Sequence, residues 1–290
     1  VAMPHILGAD GAGVLAEAGA KVENVKVGDA VCLYPPTGCG QCEFCRSERD
    51  FMCIRLRVLG ERLEGTYAQY VKLPAQNCFP IPADYSFHQA AAFPLVFVTV
   101  WRMVITNAAL QPGETMLIIG IGGGVASAAL QVAKQIGARV IATSGSDAKL
   151  DRAKELGADY GVNHQGENFV AAVQSLTDKR GVDVVLDCVG GEVWRQSLAS
   201  LARGGRLVTC GATAGGQPQD DIAAIVNKQL KIYGSTLGSR REFFQLISFL
   251  NASKIKPIID RIFPLAEAAA AQRYLEAAQQ FGKVVLEIPD

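Results

Sequence analysis

The stretch Met116-Leu117-Ile118-Ile119-Gly120-Ile121-Gly122-Gly123-Gly124-Val125-Ala126 decides the fold. Its first four residues are a short apolar run, as a parallel strand buried on both faces should be. Ser127 to Ile136 follows at helical spacing, and Arg139-Val140-Ile141-Ala142-Thr143 reads as the next strand. Glycines between a strand and a helix permit a tight turn and a close backbone approach to a pyrophosphate, which rests on the helix N-terminus. A glycine-rich stretch alone is also the mark of a surface turn. Inside a strand–turn–helix–strand unit it reads as a dinucleotide site, with Gly120, Gly122, Gly123 and Gly124 in the turn.

Working outward, the alternation continues. Helix Lys149–Leu156 leads to a strand at Tyr160-Gly161-Val162, and helix Phe169–Leu176 to Asp183-Val184-Val185-Leu186. Helix Val193–Ala202 leads to Arg206-Leu207-Val208-Thr209, and Lys231-Ile232-Tyr233 closes the series. Strands separated by helices in this order predict an α/β fold with a Rossmann, doubly wound parallel sheet. Ligands bind at the carboxyl ends of such strands, which puts Asp187, Gly190, Gly191, Cys210 and Gly211 near a cofactor. For Cys210 a backbone contact to the nicotinamide is the first reading and a reactive thiol the second. After the second strand, a carboxylate would hold a ribose 2′-OH and repel a 2′-phosphate. Here the residues are Thr143-Ser144-Gly145-Ser146, with Asp147 as the anticipated helix N-cap and Lys149 just beyond. Hydroxyls and a cation, Ser144 and Lys149, suit a phosphate and favour NADPH over NADH.

The second decisive stretch is Gly38-Cys39-Gly40-Gln41-Cys42-Glu43-Phe44-Cys45, with Cys53 eight positions on. Four cysteines at these spacings fit one tetrahedral Zn²⁺ ion, and a shell filled by Cys39, Cys42, Cys45 and Cys53 leaves no position for substrate. The zinc is therefore structural. Buried apolar cysteines and disulfides are the competing readings. Glycine and charge around the four disfavour the first, and a chain with ample core and no secretory signal disfavours the second. Cys32, Cys78 and Cys188 lie on apolar runs and read as core residues.

With 290 residues and 49% hydrophobic content, the chain has material for two domains. A formal net charge of +0 argues against an electrostatic nucleic-acid partner. No apolar run reaches the roughly 18 residues that span a bilayer. A cytoplasmic protein with a small-molecule substrate is expected. Val1-Ala2-Met3-Pro4 enters directly on a strand-like segment, so further residues are expected to precede it.

A four-cysteine lobe ahead of a dinucleotide fold resembles the medium-chain dehydrogenase/reductase superfamily, which holds the zinc alcohol dehydrogenases and the quinone-reductase-like enzymes. Pro4-His5-Ile6-Leu7-Gly8 through Gly11-Ala12-Gly13-Val14 is similar to a strand entering that family's GroES-like barrel. Val27-Gly28-Asp29-Ala30-Val31, Gly65-Thr66-Tyr67-Ala68-Gln69-Tyr70 and Gly282-Lys283-Val284-Val285-Leu286 resemble further family segments. The resemblance implies a partial GroES-like β-barrel domain at 1–96 with the zinc lobe at 38–54. A Rossmann domain at 97–236 and a C-terminal return at 237–290 complete it, with the active site in the cleft between domains. It implies Thr99, Cys210, Gly211 and Leu237 beside the nicotinamide, and Gly124 and Val125 at the pyrophosphate. Ser144, Lys149 and His164 would surround the 2′-phosphate. Relatives carry Tyr at the His164 position, and a plain loop histidine is the competing reading. Pairing of the last sheet strand, near Lys231–Thr236, implies a homodimer.

Zinc alcohol dehydrogenases carry Gly-His-Glu where this chain has Gly8-Ala9-Asp10, and their third ligand falls near Leu95. Neither Ala9 nor Leu95 has a donor atom, and catalytic zinc takes three protein ligands. The resemblance thus implies structural zinc without catalytic zinc. Alkoxide chemistry relies on that Lewis acid, whereas hydride delivery to a quinone or polarised C=C does not. An NADPH-dependent quinone or enone reductase is the leading expectation. A zinc-type alcohol dehydrogenase and a non-catalytic NADPH-binding fragment are the alternatives. Asp10 is the one ionisable candidate for a catalytic proton donor. Its competing reading is a carboxylate satisfied by backbone N–H groups.

Overall fold

The computed structural model describes residues 3–166, 168–218 and 220–289. Two compact units emerge: Val1–Val98 with Leu237–Asp290, and Thr99–Thr236.

The first unit starts with strands β1 (Ala12–Val14) and β2 (Ala30–Leu33), antiparallel with Ala12 opposite Cys32. The Lys26–Asp29 turn between them is closed by the Lys26 N–H on Asp29 Oδ2 at 2.9 Å. Next come β3 (Pro36–Thr37), helix α1 (Glu43–Arg46) and β4 (Arg57–Val58), which pairs back on β3. Strand β5 (Cys78–Pro80) returns to β2, giving the sheet order β1-β2-β5. Val31, Leu33, Leu59 and Cys78 form a core under this sheet. Buried Asn77 donates from Nδ2 to the carbonyls of Tyr34 and Pro36, both at 2.7 Å, and so joins the strands to the loop leading to the lobe.

The strand expected from Pro4 to Val14 is regular only at Ala12–Val14, and neither Pro4–Gly8 nor the family-like segment Gly65–Tyr70 is a regular strand. They do run together: the Gly65, Thr66 and Tyr67 N–H groups donate to Ile6, Gly8 and Leu7 carbonyls. Gly8 sits at φ +99°, and a Cβ on Gly60 would lie 2.6 Å from the Gly8 backbone. Backbones this close, with one residue in the left-handed region, prevent an even ladder.

Helix α2 (Phe87–Ala92) carries a capping box between Ser86 and Gln89, and α3 (Pro94–Val100) opens on a proline at its first position. A π-helical turn, Trp101–Asn107, continues it.

The second unit is a parallel α/β sheet. Its elements are β6 (Thr115–Ile118), α4 (Gly124–Ile136), β7 (Arg139–Ser144), α5 (Asp147–Glu155), β8 (Tyr160–Asn163) and α6 (Phe169–Leu176). Then follow β9 (Val182–Asp187), α7 (Val193–Ser200), β10 (Leu201–Thr209), α8 (Ile222–Lys228) and β11 (Lys231–Gly234). The strand order is β11-β10-β9-β6-β7-β8, the doubly wound arrangement whose order reverses between β9 and β6. Leu117, Ile141, Val185 and Leu207 fill its centre, each almost fully buried. Burying side chains of this size contributes about 1.5–3 kcal/mol apiece. Helix α7 stops at Ser200 rather than at Ala202. Leu201 is already extended and pairs with Val182, and the chain bulges out before Arg206 resumes the ladder opposite Val184. Gly204, at φ +73°, permits that bulge.

The chain then returns to the first unit through α9 (Arg240–Ala252), β12 (Ile259–Pro264), α10 (Ala268–Glu276) and β13 (Lys283–Glu287). β12 and β13 pair in parallel. Phe243 of α9 stacks on Phe93 at 5.9 Å and meets Phe79 edge-on at 4.8 Å, an aromatic core for this unit. Among the described residues no helix is long and apolar enough to cross a membrane.

Candidate functional site

The glycine turn lies where the sequence predicts it, between β6 and α4. Gly120 and Gly122 hold φ of +74° and +138°, values that side-chain-bearing residues rarely adopt. The Gly120 N–H donates to Thr143 Oγ1 at 3.1 Å and the Ile121 N–H to the Thr143 carbonyl at 2.7 Å, so the turn is moored to β7. A Cβ on Gly123 would meet nothing within 4 Å, and Gly123 caps α4 without a side-chain bond. The space beside Gly123 is therefore open, and with the favourable dipole of α4 it makes a cradle at the helix N-terminus, next to Gly124 and Val125. That cradle fits a dinucleotide pyrophosphate.

At the end of β7, Thr143 and Ser144 are buried and Ser144 Oγ accepts the Ser146 N–H at 3.1 Å. Ser146, not Asp147, is the N-cap of α5. Asp147 falls one residue inside because its carboxylate accepts from Asn163 Nδ2 at 2.7 Å, which draws it towards the end of β8. The Lys149 stem lies across the glycine turn: a Cβ on Gly122 would come 2.9 Å from its Cδ and 3.2 Å from its Nζ. His164 is exposed, and its N–H donates to the Ser144 carbonyl at 3.1 Å. Gly120, Gly122, Ser144, Lys149 and His164 are thus gathered around the carboxyl ends of β6, β7 and β8.

On the other side of the order reversal, buried Asp187 ends β9. It accepts from the Val189 N–H (2.8 Å), the Gly190 N–H (3.0 Å) and Ser197 Oγ (2.9 Å), which fixes the loop that follows. The Val189 side chain reaches to 3.4 Å from a Cβ placed on Gly120. Cys210 and Gly211 follow β10, and the Cys210 sulfur lies 3.1 Å from that of Cys188. Thr99 is buried on α3. Leu237 belongs to the first unit, where it sits at φ +52°. A leucine in the left-handed region costs about 1 kcal/mol or more, the kind of strain kept at ligand sites. Sequence periodicity carries no sign of it.

In the lobe, the sulfurs of Cys39, Cys42, Cys45 and Cys53 all lie within 4.8 Å of one another. Cys39 and Cys45 sulfurs are 4.0 Å apart. A Zn–S bond of about 2.3 Å sets tetrahedral sulfur–sulfur edges near 3.8 Å, so the donor set fits the ion. The Cys39 and Arg55 N–H groups donate to Cys53 Sγ at 3.2 and 3.3 Å, orienting it. N–H groups of Gln41 and Cys42 bring the Cys39 thiol down to about 6. Burial pushes Cys45 up to about 12. Gly38 is needed here because a Cβ would come 2.9 Å from Cys45 Sγ.

Asp10 does not present a free carboxyl. Oδ1 accepts the Leu95 N–H at 2.7 Å, and Oδ2 pairs with Lys283 Nζ at 2.8 Å. The His5 side chain is 8% exposed, with Nδ1 at 3.9 Å from Glu64 Oε1 and Nε2 unpartnered among the described residues.

Two family models match the chain: the alcohol dehydrogenase GroES-like domain over residues 1–83 and the zinc-binding dehydrogenase domain over residues 124–252. The NAD-dependent alcohol dehydrogenase of Sulfolobus acidocaldarius is 33% identical over 99% of this chain and 83% of its own length. An alcohol dehydrogenase of Geobacillus stearothermophilus is 32% identical over 99% of this chain and 84% of its own. Among solved structures, an NAD-dependent alcohol dehydrogenase superposes with a TM-score of 0.95 at 42% identity, covering all of this chain and 84% of that one. A crotonyl-CoA carboxylase/reductase, AntE, in complex with NADP shares the fold, with a TM-score of 0.92 at 22% identity over 97% of this chain and 77% of its own. The glycine turn, the zinc-compatible lobe and matches over nearly the whole chain lead to one assignment. The chain belongs to the medium-chain dehydrogenase/reductase superfamily, among its zinc-type alcohol dehydrogenase-like members, and is an NAD(P)-dependent dehydrogenase/reductase.

Proposed function

We propose that the chain is an NADPH-dependent reductase that delivers hydride to a quinone or an activated C=C bond without a catalytic zinc. The observation that carries this reading is the set Ala9, Asp10 and Leu95. Ala9 and Leu95 offer no donor atom at the positions where zinc enzymes of the family bind the metal. The Asp10 carboxylate is committed to Leu95 N–H and Lys283. Without a Lewis acid, an already electrophilic substrate is the one that reacts. A bound nicotinamide dinucleotide supplies the hydride. The chain's part is to hold the pyrophosphate on the Gly120–Val125 turn and to orient the nicotinamide with Thr99, Cys210 and Gly211. Asp10 is a tie between segments rather than the proton donor, and solvent water protonates the product.

Preference for NADPH rests on Ser144 and Lys149, with His164 beside them, and on the absence of a carboxylate among residues 143–146. Zinc is held by Cys39, Cys42, Cys45 and Cys53. β11 lies at the edge of its sheet, paired only with β10 among the described strands, and is the surface for homodimer formation. None of the eight cysteines is in a disulfide, which suits the cytoplasm.

The second reading is an NAD-dependent alcohol dehydrogenase, favoured by the names of the Sulfolobus and Geobacillus relatives. Nicotinamide fluorescence titration with NADPH and NADH, zinc counting, and turnover of quinones, enones and alcohols separate the two. One zinc per chain, tighter NADPH and C=C or quinone reduction support the proposal. Two zinc ions with alcohol oxidation by NAD overturn it.

A further inference from the structure

Cys188 and Cys210 directly follow Asp187 and Thr209, the last register pair of the adjacent parallel strands β9 and β10. Neighbouring strands lie about 4.8 Å apart, and disulfides bridge Cα atoms roughly 4.4–6.8 Å apart. The two sulfurs are 3.1 Å apart, and both side chains are partly exposed rather than sealed in the core. Closing to a bond of about 2.05 Å asks for a movement of roughly 1 Å.

The surroundings tie this pair to the candidate crevice. The Cys188 carbonyl accepts from the Thr213 N–H and Oγ1, both at 3.4 Å, and lies 3.3 Å from a Cβ placed on Gly211. The Ala214 N–H donates to the Val189 carbonyl at 2.8 Å. The loops after β9 and β10 are therefore stitched together beside the two sulfurs.

We propose that Cys188 and Cys210 form a reversible disulfide that gates dinucleotide binding at the ends of β9 and β10. The oxidant is a peroxide or a small-molecule disulfide such as oxidised glutathione. With a peroxide, the Cys210 sulfur takes one oxygen as a sulfenic acid and the O–O bond breaks, releasing water. The Cys188 thiol then attacks that sulfur, the S–O bond breaks, and a second water leaves. With oxidised glutathione, Cys210 displaces one glutathione thiol and Cys188 displaces the other. In both routes two S–H bonds are lost, one S–S bond forms and two electrons pass to the oxidant. The local chemistry divides the roles. A hydrogen bond from the Cys188 thiol lowers Cys210 despite its burial, and Cys188, which keeps the proton, is raised.

The gating half rests on the proposed cofactor site; bond formation does not. The zinc-loaded full chain is equilibrated in glutathione buffers of stepped ratio, mapped by peptide mass, and titrated with NADPH and NADH. The expected result is a linked Cys188–Cys210 peptide that disappears with a dithiol reductant. Affinity for the preferred dinucleotide should weaken in the oxidised form on the order of tenfold, typical of coupled sites. Cys188→Ser, chosen because Cys188 is not among the proposed cofactor contacts, should lose both the linked peptide and the redox dependence. Separate glutathione adducts on the two cysteines, or thiols that stay reduced at every ratio, overturn the disulfide. A linked peptide with unchanged affinity overturns the gate. A reduced chain that binds neither dinucleotide overturns the proposed function and the gate with it, while the peptide map still decides the bond.

Discussion

Lys149 shows how much one side chain can decide at this site. Its stem rests on Gly122, which leaves the ammonium beside the turn that would carry the pyrophosphate and ribose. A point cation there discriminates between a 2′-phosphate and a 2′-hydroxyl, because only the first gains a charge-assisted bond. Lys149→Ala should weaken NADPH binding about tenfold, close to 1.4 kcal/mol, while NADH changes little. Fluorescence titration of the two cofactors reads this directly, and equal losses for both would show that Lys149 only braces the turn. The lobe depends on its residues in a different way. Cys42→Ser removes one thiolate from a four-sulfur shell, and three ligands cannot close it. Metal analysis should fall from one zinc per chain to a small fraction, and the lobe should lose resistance to proteolysis. Full zinc occupancy in the variant would assign the ion to another site.

At the scale of elements, α9 depends on its start. Ser239 Oγ accepts the Glu242 N–H at 3.1 Å, and Glu242 Oε2 accepts the Ser239 N–H at 2.7 Å, with both residues buried. Two first-turn amides are satisfied where water cannot replace the bonds. The helix carries Phe243 into the aromatic core, so its register matters. Ser239→Ala should cost about 1–2 kcal/mol. A urea midpoint shift of that size with an unchanged m-value is the expected readout, and Ser239→Thr should recover much of it. Elements of this kind were readable in the sequence. Helix Phe169–Leu176 and the glycine turn were found because apolar spacing and glycine placement are local signals. The Pro4–Val14 strand was found only at its Ala12–Val14 end, because the irregularity of Pro4–Gly8 and of Gly65–Tyr70 comes from backbones approaching across some sixty residues. For the same reason Cys188, apparently a core cysteine, showed its partner only once the β9–β10 register was known, and the left-handed backbone of Leu237 left no mark in composition.

At the scale of the whole molecule, the parallel sheet has two chemically different ends. Glycines, hydroxyls and thiols collect at the carboxyl ends of the strands, where a ligand is proposed. Paired charges collect at the amino ends. Asp183 Oδ2 accepts the Thr115 N–H at 2.9 Å and an Arg180 N–H at 3.2 Å, and Arg206 Nη1 donates to Glu114 Oε1 at 3.0 Å. Desolvation alone would raise the Asp183 carboxyl, but the Arg180 and Thr115 hydrogen bonds and the charges of Arg180 and Arg206 outweigh it and hold it below the usual carboxylate range. The unfolded chain therefore binds this proton more readily than the folded one. The stability Asp183 contributes is complete above the unfolded value of about 3.9 and is lost as pH falls through the lower folded value. Asp183→Asn should accordingly destabilise the chain by about 1–3 kcal/mol at pH 7, the range for hydrogen bonds to a charged group. The gap to the parent should narrow below pH of about 4, as the parent carboxylate takes up its proton. Urea unfolding at neutral and acid pH measures both numbers. A gap that stays constant or widens in acid would mean that Asp183 acts through shape rather than charge, and that the acid sensitivity of this sheet arises elsewhere.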